Sequence, residues 1–518
     1  MGLSGLMIRS CVLLLPVLCV SLLDSFSPEP RRPHTAPPIF EGEPFIVTWN
    51  IPNLTCNRYN VTLNTSPYRG VSNPAKVPGQ FLALFYVDRL GLYPYVDEVT
   101  GKQFNGGVPQ RGNLRASLAK AEADVEHYIP SRSSAGLAVI DWEDWRPLWE
   151  RNWGSKRVYR SLSVTYARRR DPSLTARKAA AQARQRFQSA AKSYMLETLS
   201  LGARRRPDYL WGFYLFPNCY NYGWAEPGYT GECSREVRRQ NNRLLWLWEA
   251  STALYPSVYL QASLAGRPDA ALMVRHRVHE ALRVAALPRR RRHTPPVYVY
   301  TRPVFVDQTK RLLSLGDLVH TIGESAAMGA SGAVLWGASA DYDDKVSCEA
   351  LSTHLDDTIN PYVANVTAAA KLCGDFLCKG KGRCVRRNFT SHEYLHLNPD
   401  SFSIQRSELG EFTVVGAPSL QDLMAFARGF TCQCYAGRNC DTHIPTPAPM
   451  ETTTATTTTT TTTPNPPLSY ITSPMSTLTP GQTSAESLSQ VPVWTTATLQ
   501  TQTPEVFSSL SPTSDYYR

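Results

Sequence analysis

Gly136-Leu-Ala-Val-Ile-Asp-Trp-Glu-Asp-Trp-Arg-Pro147 is the stretch on which the fold turns. Leu137 to Ile140 is an apolar run of the kind that a fully buried strand shows. It leads straight into Asp141-Trp142-Glu143. Side chains alternate along a strand, so Asp141 and Glu143 are expected on one face, about 6–7 Å apart at Cα. Two carboxyls at the mouth of a buried strand, with Trp142 and Trp145 beside them, suit acid/base chemistry on a sugar.

Similar segments recur on both sides of this one: Phe45–Asn50, Phe81–Val87, Leu137–Glu143, Leu210–Leu215, Ser257–Gln261, Pro296–Thr301 and Gly332–Trp336. Helical patterns lie between several of them. Phe187, Ala190, Ala191, Tyr194 and Met195 follow one helix face, and Leu312 to Met328 reads the same way. Strands alternating with helices over about 300 residues predict an α/β fold, a (β/α) barrel with its chemistry where the strands end. Those ends carry Trp49-Asn50, Tyr86, Asp141 and Glu143, Tyr214, Tyr259 and Trp336. A single aromatic there is ordinary packing; the set predicts one cleft lined for saccharide.

The rest of the chain sets the compartment. Arg9 followed by the apolar Val12–Leu23 reads as a secretory signal over residues 1–23, too short to span a bilayer comfortably. Of 12 cysteines, Cys11 and Cys19 fall in that signal, and the remaining ten suit an oxidising compartment. None forms CxxC, so neither a zinc site nor a thioredoxin-like redox site is expected; no other metal and no cofactor is expected either. Sequons at Asn53, Asn60, Asn64, Asn365 and Asn388 permit glycosylation.

The formal charge is +11, concentrated at Arg168–Arg170, Arg204–Arg206 and Arg289–Arg292. In a secreted chain such a surplus suits an acidic polysaccharide rather than nucleic acid, although each cluster alone also reads as a solvated loop. The barrel is expected over 37–365. From Cys373 the cysteines crowd, and Cys432-Gln-Cys434-Tyr-Ala-Gly-Arg-Asn-Cys440 closes like an EGF-like module over 370–443, expanded between Cys384 and Cys432. Residues 444–518 are Thr-, Ser- and Pro-rich and read as a disordered, mucin-like tail. The last residues, 511–518, carry no apolar run, so neither a transmembrane helix nor a C-terminal lipid-anchor signal is expected.

Three segments resemble the animal hyaluronidases, glycoside hydrolase family 56: Ile140–Pro147; Leu210-Trp-Gly-Phe-Tyr-Leu-Phe-Pro217 with Cys219-Tyr-Asn-Tyr222; and Gly323-Glu-Ser-Ala-Ala327 with Leu335-Trp336. Asp88–Pro94, Met195–Thr198 and Val299–Pro303 look most like the type 2 branch. The resemblance covers about residues 37–443. It implies a distorted TIM-like barrel and cleavage inside hyaluronan at β-1,4 N-acetylglucosaminidic bonds, with chondroitin as an alternative substrate. Glu143 matches the proton donor and Asp141 the carboxylate that positions the substrate acetamido group. Tyr214, Tyr259 and Trp336 match residues lining that group, Arg277 and Asp307 further active-site positions, and Tyr93 and Tyr95 a substrate-binding loop. The implied disulfides pair Cys56 with Cys348, Cys219 with Cys233, Cys373 with Cys384, Cys378 with Cys432, and Cys434 with Cys440.

Burial and a charged Asp141 are expected to raise the pKa of Glu143. Asn218 stands where the family commonly has Asp. The expected protein is therefore a secreted or lysosomal monomeric hydrolase. The rival reading is a weakly active hyaluronan-binding surface protein using the same cleft.

Overall fold

The structure, a computed structural model, describes residues 32–73 and 76–440. The expected signal and tail lie outside the described residues. Parallel strands run in chain order around a barrel: β1 (Ile46–Asn50), β2 (Leu82–Phe85), β3 (Gly136–Ile140), β4 (Tyr209–Phe213), β5 (Tyr298–Thr301) and β6 (Gly332–Trp336). β3 pairs with β2 and β4, and β6 pairs with β5 and β1. Between β4 and β5 the sequence predicts a strand at Ser257–Gln261. The structure has isolated parallel bridges there instead: Tyr214–Tyr255, Leu254–Val297 and Ser257–Tyr300. Pro256 cannot donate to a ladder, which breaks the pairing into pieces.

No direct ladder joins β1 to β2. The segment 69–72 fills that gap: Arg69 N and Ser72 N donate to the carbonyls of Val47 and Trp49, and the Ser72 hydroxyl accepts from Leu82 N. The barrel is thus closed, but distorted on two sides.

Alternation sorts the strand residues into two cores. Ile46, Leu82, Leu84, Leu137, Val139, Tyr255, Tyr298, Tyr300 and Val334 pack inside the barrel. Val47, Trp49, Ala83, Phe85, Ala138, Ile140, Trp211, Phe213 and Leu335 belong to the core outside it. The inner face has little room. A Cβ on Gly212 would lie 2.3 Å from the Ala253 carbonyl oxygen, and one on Gly332 2.5 Å from that of Ile46. Glycine lets these backbones approach.

Four helices cover the barrel wall around the site: α1 (Leu114–Tyr128), α2 (Arg157–Arg170), α3 (Ala176–Arg205) and α4 (Pro268–Ala285). The predicted face of α3 is buried at Phe187, Ala191, Tyr194 and Met195. Ala190 is half-buried beside it. The run predicted at Leu312–Met328 is helical from Leu315, with a wider turn at Val319–Gly323. None of the described helices is long and apolar enough to cross a membrane.

After α5 (Asn360–Cys378) comes a disulfide-laced segment. It holds β7 (Gly382–Arg386), β8 (Phe402–Arg406), β9 (Phe412–Gly416), α6 (Leu420–Gly429) and β10 (Phe430–Cys434). β7 pairs with β10 and β8 with β9, both antiparallel. Disulfides join Cys373–Cys384, Cys378–Cys432 and Cys434–Cys440 here, and Cys56–Cys348 and Cys219–Cys233 on the barrel.

One fully buried carboxylate ties this segment to the barrel. Glu324 sits between two buried guanidiniums, Arg275 of α4 at 2.7 Å and Arg386 of β7 at 2.6 Å. The Arg386 pair is bidentate, the strong geometry for a guanidinium and a carboxylate. Removing one member strands the others away from water. Glu324→Gln is therefore expected to cost about 3–5 kcal/mol of stability, read from urea unfolding midpoints. A loss below 1 kcal/mol would show that the triad is not a fixed tie.

Candidate active site

Strand parity builds the site. On each strand the next inward position beyond the interior core falls at the barrel mouth. These positions are Tyr86 after β2, Asp141 after β3, Tyr214 after β4, Arg302 after β5 and Trp336 at the end of β6. β3 ends at Ile140, three residues short of Glu143, where the sequence suggests its end. The ladder still holds Asp141 in place, because its N–H donates to the Phe85 carbonyl at 2.9 Å and Tyr214 N donates to Ile140 at 3.0 Å. Glu143 lies on the irregular chain just beyond.

The Asp141 and Glu143 carboxyls are neighbours, close enough for the charge of one to bear on the other. The resolved upward shift is on Asp141, well above the usual carboxylate range. Burial causes most of it, then the charge of Glu143, with Arg146 opposing. Asp141 Oδ1 is buried without a hydrogen-bond partner. Glu143 is a third exposed and faces Arg146 Nη2 at 3.4 Å. The guanidinium of Arg146 also donates to the Glu143 carbonyl.

Three phenols surround this pair. Tyr86, Tyr214 and Tyr300 are all pushed up, by burial first and in part by Asp141. They stay protonated and able to donate. The Tyr300 hydroxyl is buried with no partner.

Aromatic rings wall the mouth. Tyr214 and Tyr259 lie 6.1 Å apart and tilted, Tyr259 and Trp336 6.1 Å apart and stacked, and Trp336 Nε1 donates to the Tyr86 hydroxyl at 3.3 Å. Arg302 lies over both Tyr259 and Trp336, at 5.8 and 5.3 Å, held by a buried 2.6 Å ion pair with Asp341.

Other sequence candidates stand further off. Tyr93 is fully buried, stacked on Trp142 at 4.6 Å and on Trp145 at 5.1 Å, and so supports the wall from behind. Tyr95 is half-buried and stacks on Phe104 at 4.7 Å. Arg277 is buried: it donates to Asn221 Oδ1 and to the Ser257 carbonyl and lies over Tyr222. Asp307 is exposed on a hairpin turn and accepts from Ala262 N at 2.8 Å. Trp49, expected at a lined strand end, has outward parity. Its indole donates to Ile51 O and Asn53 Oδ1 and packs on Tyr68.

Asn218 accepts from Tyr220 N at 2.9 Å and shapes the 218–222 turn. Among the sequons, Asn60 and Asn388 are exposed and Asn53 and Asn365 half-buried. The Asn64 amide nitrogen donates to Gly410 O and Asp356 Oδ1, which occupies the atom a glycan would need.

Arg146, Asp144, Tyr300 and the Arg302–Asp341 pair escaped the sequence reading. Tyr298-Val-Tyr300-Thr-Arg302 carried a usable signal, since parity from an inward Tyr298 puts Tyr300 and Arg302 on the same side.

A family model described as hyaluronidase, glycoside hydrolase family 56, matches residues 34–444. The chain belongs to this family and is an enzyme of the hyaluronidase class. It is 44% identical to human hyaluronidase PH-20 over 78% of this chain and 79% of that one. It is 42% identical to human hyaluronidase-4 over 77% and 83%. Bee venom hyaluronidase, solved in complex with a hyaluronic acid tetramer, superposes with a TM-score of 0.56 at 32% identity, covering 62% of this chain and 98% of that one. These relatives support the family and give the type 2 branch no support.

Asp144 supplies a test of the electrostatics. Burial raises it from the ordinary 3.8 to about 7, with Lys156 opposing and Glu143 adding. The native state then holds a proton that the unfolded chain releases, between about pH 4 and pH 7. That contribution is complete below the unfolded value and is lost as pH rises through the folded one. Asp144→Asn, neutral throughout, should gain stability relative to the parent by on the order of 1 kcal/mol or more from pH 4.5 to pH 7.5. Parallel urea curves for the two proteins across that range would show that Asp144 is ionised at neutral pH.

Proposed function

We propose that the enzyme hydrolyses hyaluronan internally at β-1,4 N-acetylglucosaminidic bonds with retention of configuration. The carrying observation is the neighbouring Asp141 and Glu143 carboxyls, with Asp141 held well above the usual carboxylate range, at the mouth of an aromatic-walled pocket. The usual retaining enzyme has a second carboxylate as nucleophile; in the substrate-assisted exceptions the substrate's acetamido oxygen attacks instead. Asp141 is half-buried, with its Oδ1 covered, and neighbours phenols, a setting that holds and polarises that group rather than one that attacks.

Binding moves the proton. The acetamido N–H donates to the orphaned Asp141 Oδ1, and a donor on a carboxylate favours its charged form. The proton on Asp141 therefore passes to Glu143. The acetamido oxygen then bonds to the anomeric carbon, the glycosidic bond breaks, and Glu143 protonates the departing oxygen. Glu143, now a carboxylate, takes a proton from water, which attacks the anomeric carbon and restores the acetamide. Tyr214 and Tyr300 donate toward the acetamido oxygen, while Tyr259 and Trp336 stack on the ring faces of the sugar. Tyr93, Tyr95, Arg277 and Asp307 support the walls and loops around the pocket.

The five disulfides suit an oxidising compartment. The segment after α5, with three of those bridges and little core of its own, is read as an EGF-like cap on the barrel.

Glu143→Gln keeps the shape and removes the titrating proton. Turnover should fall at least ~10²-fold while hyaluronan binding persists. Product sizing with hyaluronan and chondroitin side by side, from acidic to neutral pH, separates the substrates. Near-native turnover by the variant would remove Glu143 from the role.

A further inference from the structure

The hairpin of α2 and α3 is longer than the barrel needs. Phe187 of α3 packs on Trp145 and Trp149, and Gln188 Oε1 accepts from Trp149 N. That contact marks the level of the loop after Glu143. At the other end of α3, Gly202 lies against Trp211 and Arg206 reaches Ile129 O, near the start of β4. Residues 176–186 therefore extend past the catalytic level, by about 16 Å at 1.5 Å per residue. The hairpin tip stands beyond the mouth of the cleft.

That tip is strongly basic. Arg168, Arg169, Arg170, Arg177 and Lys178 lie within eleven residues, against Asp171 alone. All five cations are exposed. The side chains of Arg168, Arg169, Arg177 and Lys178 have no hydrogen-bond or ion-pair partner among the described residues. Helix stability does not account for them. Cations suit the last turn of α2, but Arg177 and Lys178 occupy the first turn of α3, where the dipole disfavours positive charge and acids are absent.

The tip is also connected to the cleft rim. Tyr95 stacks on Phe104, which Lys102 overlies at 4.9 Å. Gln103, between those two, accepts from Arg111. Arg111 and Arg170 both lie over the Tyr166 ring, at 5.7 and 5.9 Å. Rings and cations thus alternate from the Tyr95 loop to the end of α2.

We infer that the α2–α3 tip is an exosite for the substrate's own polymer, a linear polyanion with uronate carboxylates, which leaves the cleft past Tyr95 and is held by Arg168, Arg169, Arg177 and Lys178. This rests on the proposed cleft function. Exposed cations here retain a long chain between cuts and do nothing for a fragment that ends within the cleft.

The test is Arg168→Glu/Arg169→Glu/Arg177→Glu/Lys178→Glu in the full chain, with thermal melting as a fold check and the four Gln replacements as a milder second variant. At low ionic strength KM for high-molecular-weight hyaluronan should rise about 10-fold with kcat kept, and the effect should fade toward 1 M salt. Kinetics on short hyaluronan oligosaccharides should stay within about twofold of the parent, since the lost attraction is remote from the pocket. The Gln variant should fall between. Unchanged KM on polymer, or an equal rise on both lengths, would overturn the exosite and leave the cleft reading intact. A parent protein that cleaves neither length would overturn the cleft reading itself.

Discussion

The two-residue alternation of a closed, tightly filled barrel is the constraint from which the site follows. Once Leu137 and Val139 face inward, Asp141 must continue that row into the mouth. The same rule delivers Tyr86, Tyr214, Arg302 and Trp336 from separate strands to one rim. A shift of register by one residue on β3 would bury Trp142 inside the barrel and turn Asp141 toward the helices. The site is thus a property of the barrel's interior rather than of loops placed on it.

The electrostatic arrangement grows from the same geometry. A carboxyl at the end of an interior row is flanked by other interior rows, here phenols, and is partly withdrawn from water, with Asp141 Oδ1 fully covered. Neutral forms prevail in such surroundings. That explains why the resolved shift falls on Asp141, deeper in the row, while Glu143 on the irregular chain beyond keeps access to solvent and to Arg146. Depth gives two chemically similar groups different surroundings.

Much of this was legible in the sequence because apolar strands announce themselves locally. Leu137–Ile140 and Gly332–Trp336 read directly, and Asp141, Glu143, Tyr214, Tyr259 and Trp336 stand out as unusual residues after such runs. Local pattern fails where a role depends on a distant partner. Arg302 looks like any surface arginine until Asp341 is brought against it. The stretch around Ser257 lacks a regular ladder, so its strand was placed too late in the chain. Asp307 and Arg277 were carried over by resemblance, and their contacts brace turns instead of reaching the carboxyls. The Asn64 sequon is intact as a motif, yet folding ties its amide to the Gly410 backbone.

The order in which the chain emerges during synthesis gives the closure of the barrel another meaning. β1 has its ladder partner in β6, nearly three hundred residues later, and Cys56 waits 292 residues for Cys348. Until β6 is made, the growing polypeptide leaves one edge of the apolar β1 without its ladder partner, a state exposed to aggregation. Trp336, the last wall of the pocket, arrives with the strand that closes the ring. A chain cut short of β6 lacks both the closing ladder and Trp336, so the wall of the pocket is completed in the same step that closes the ring.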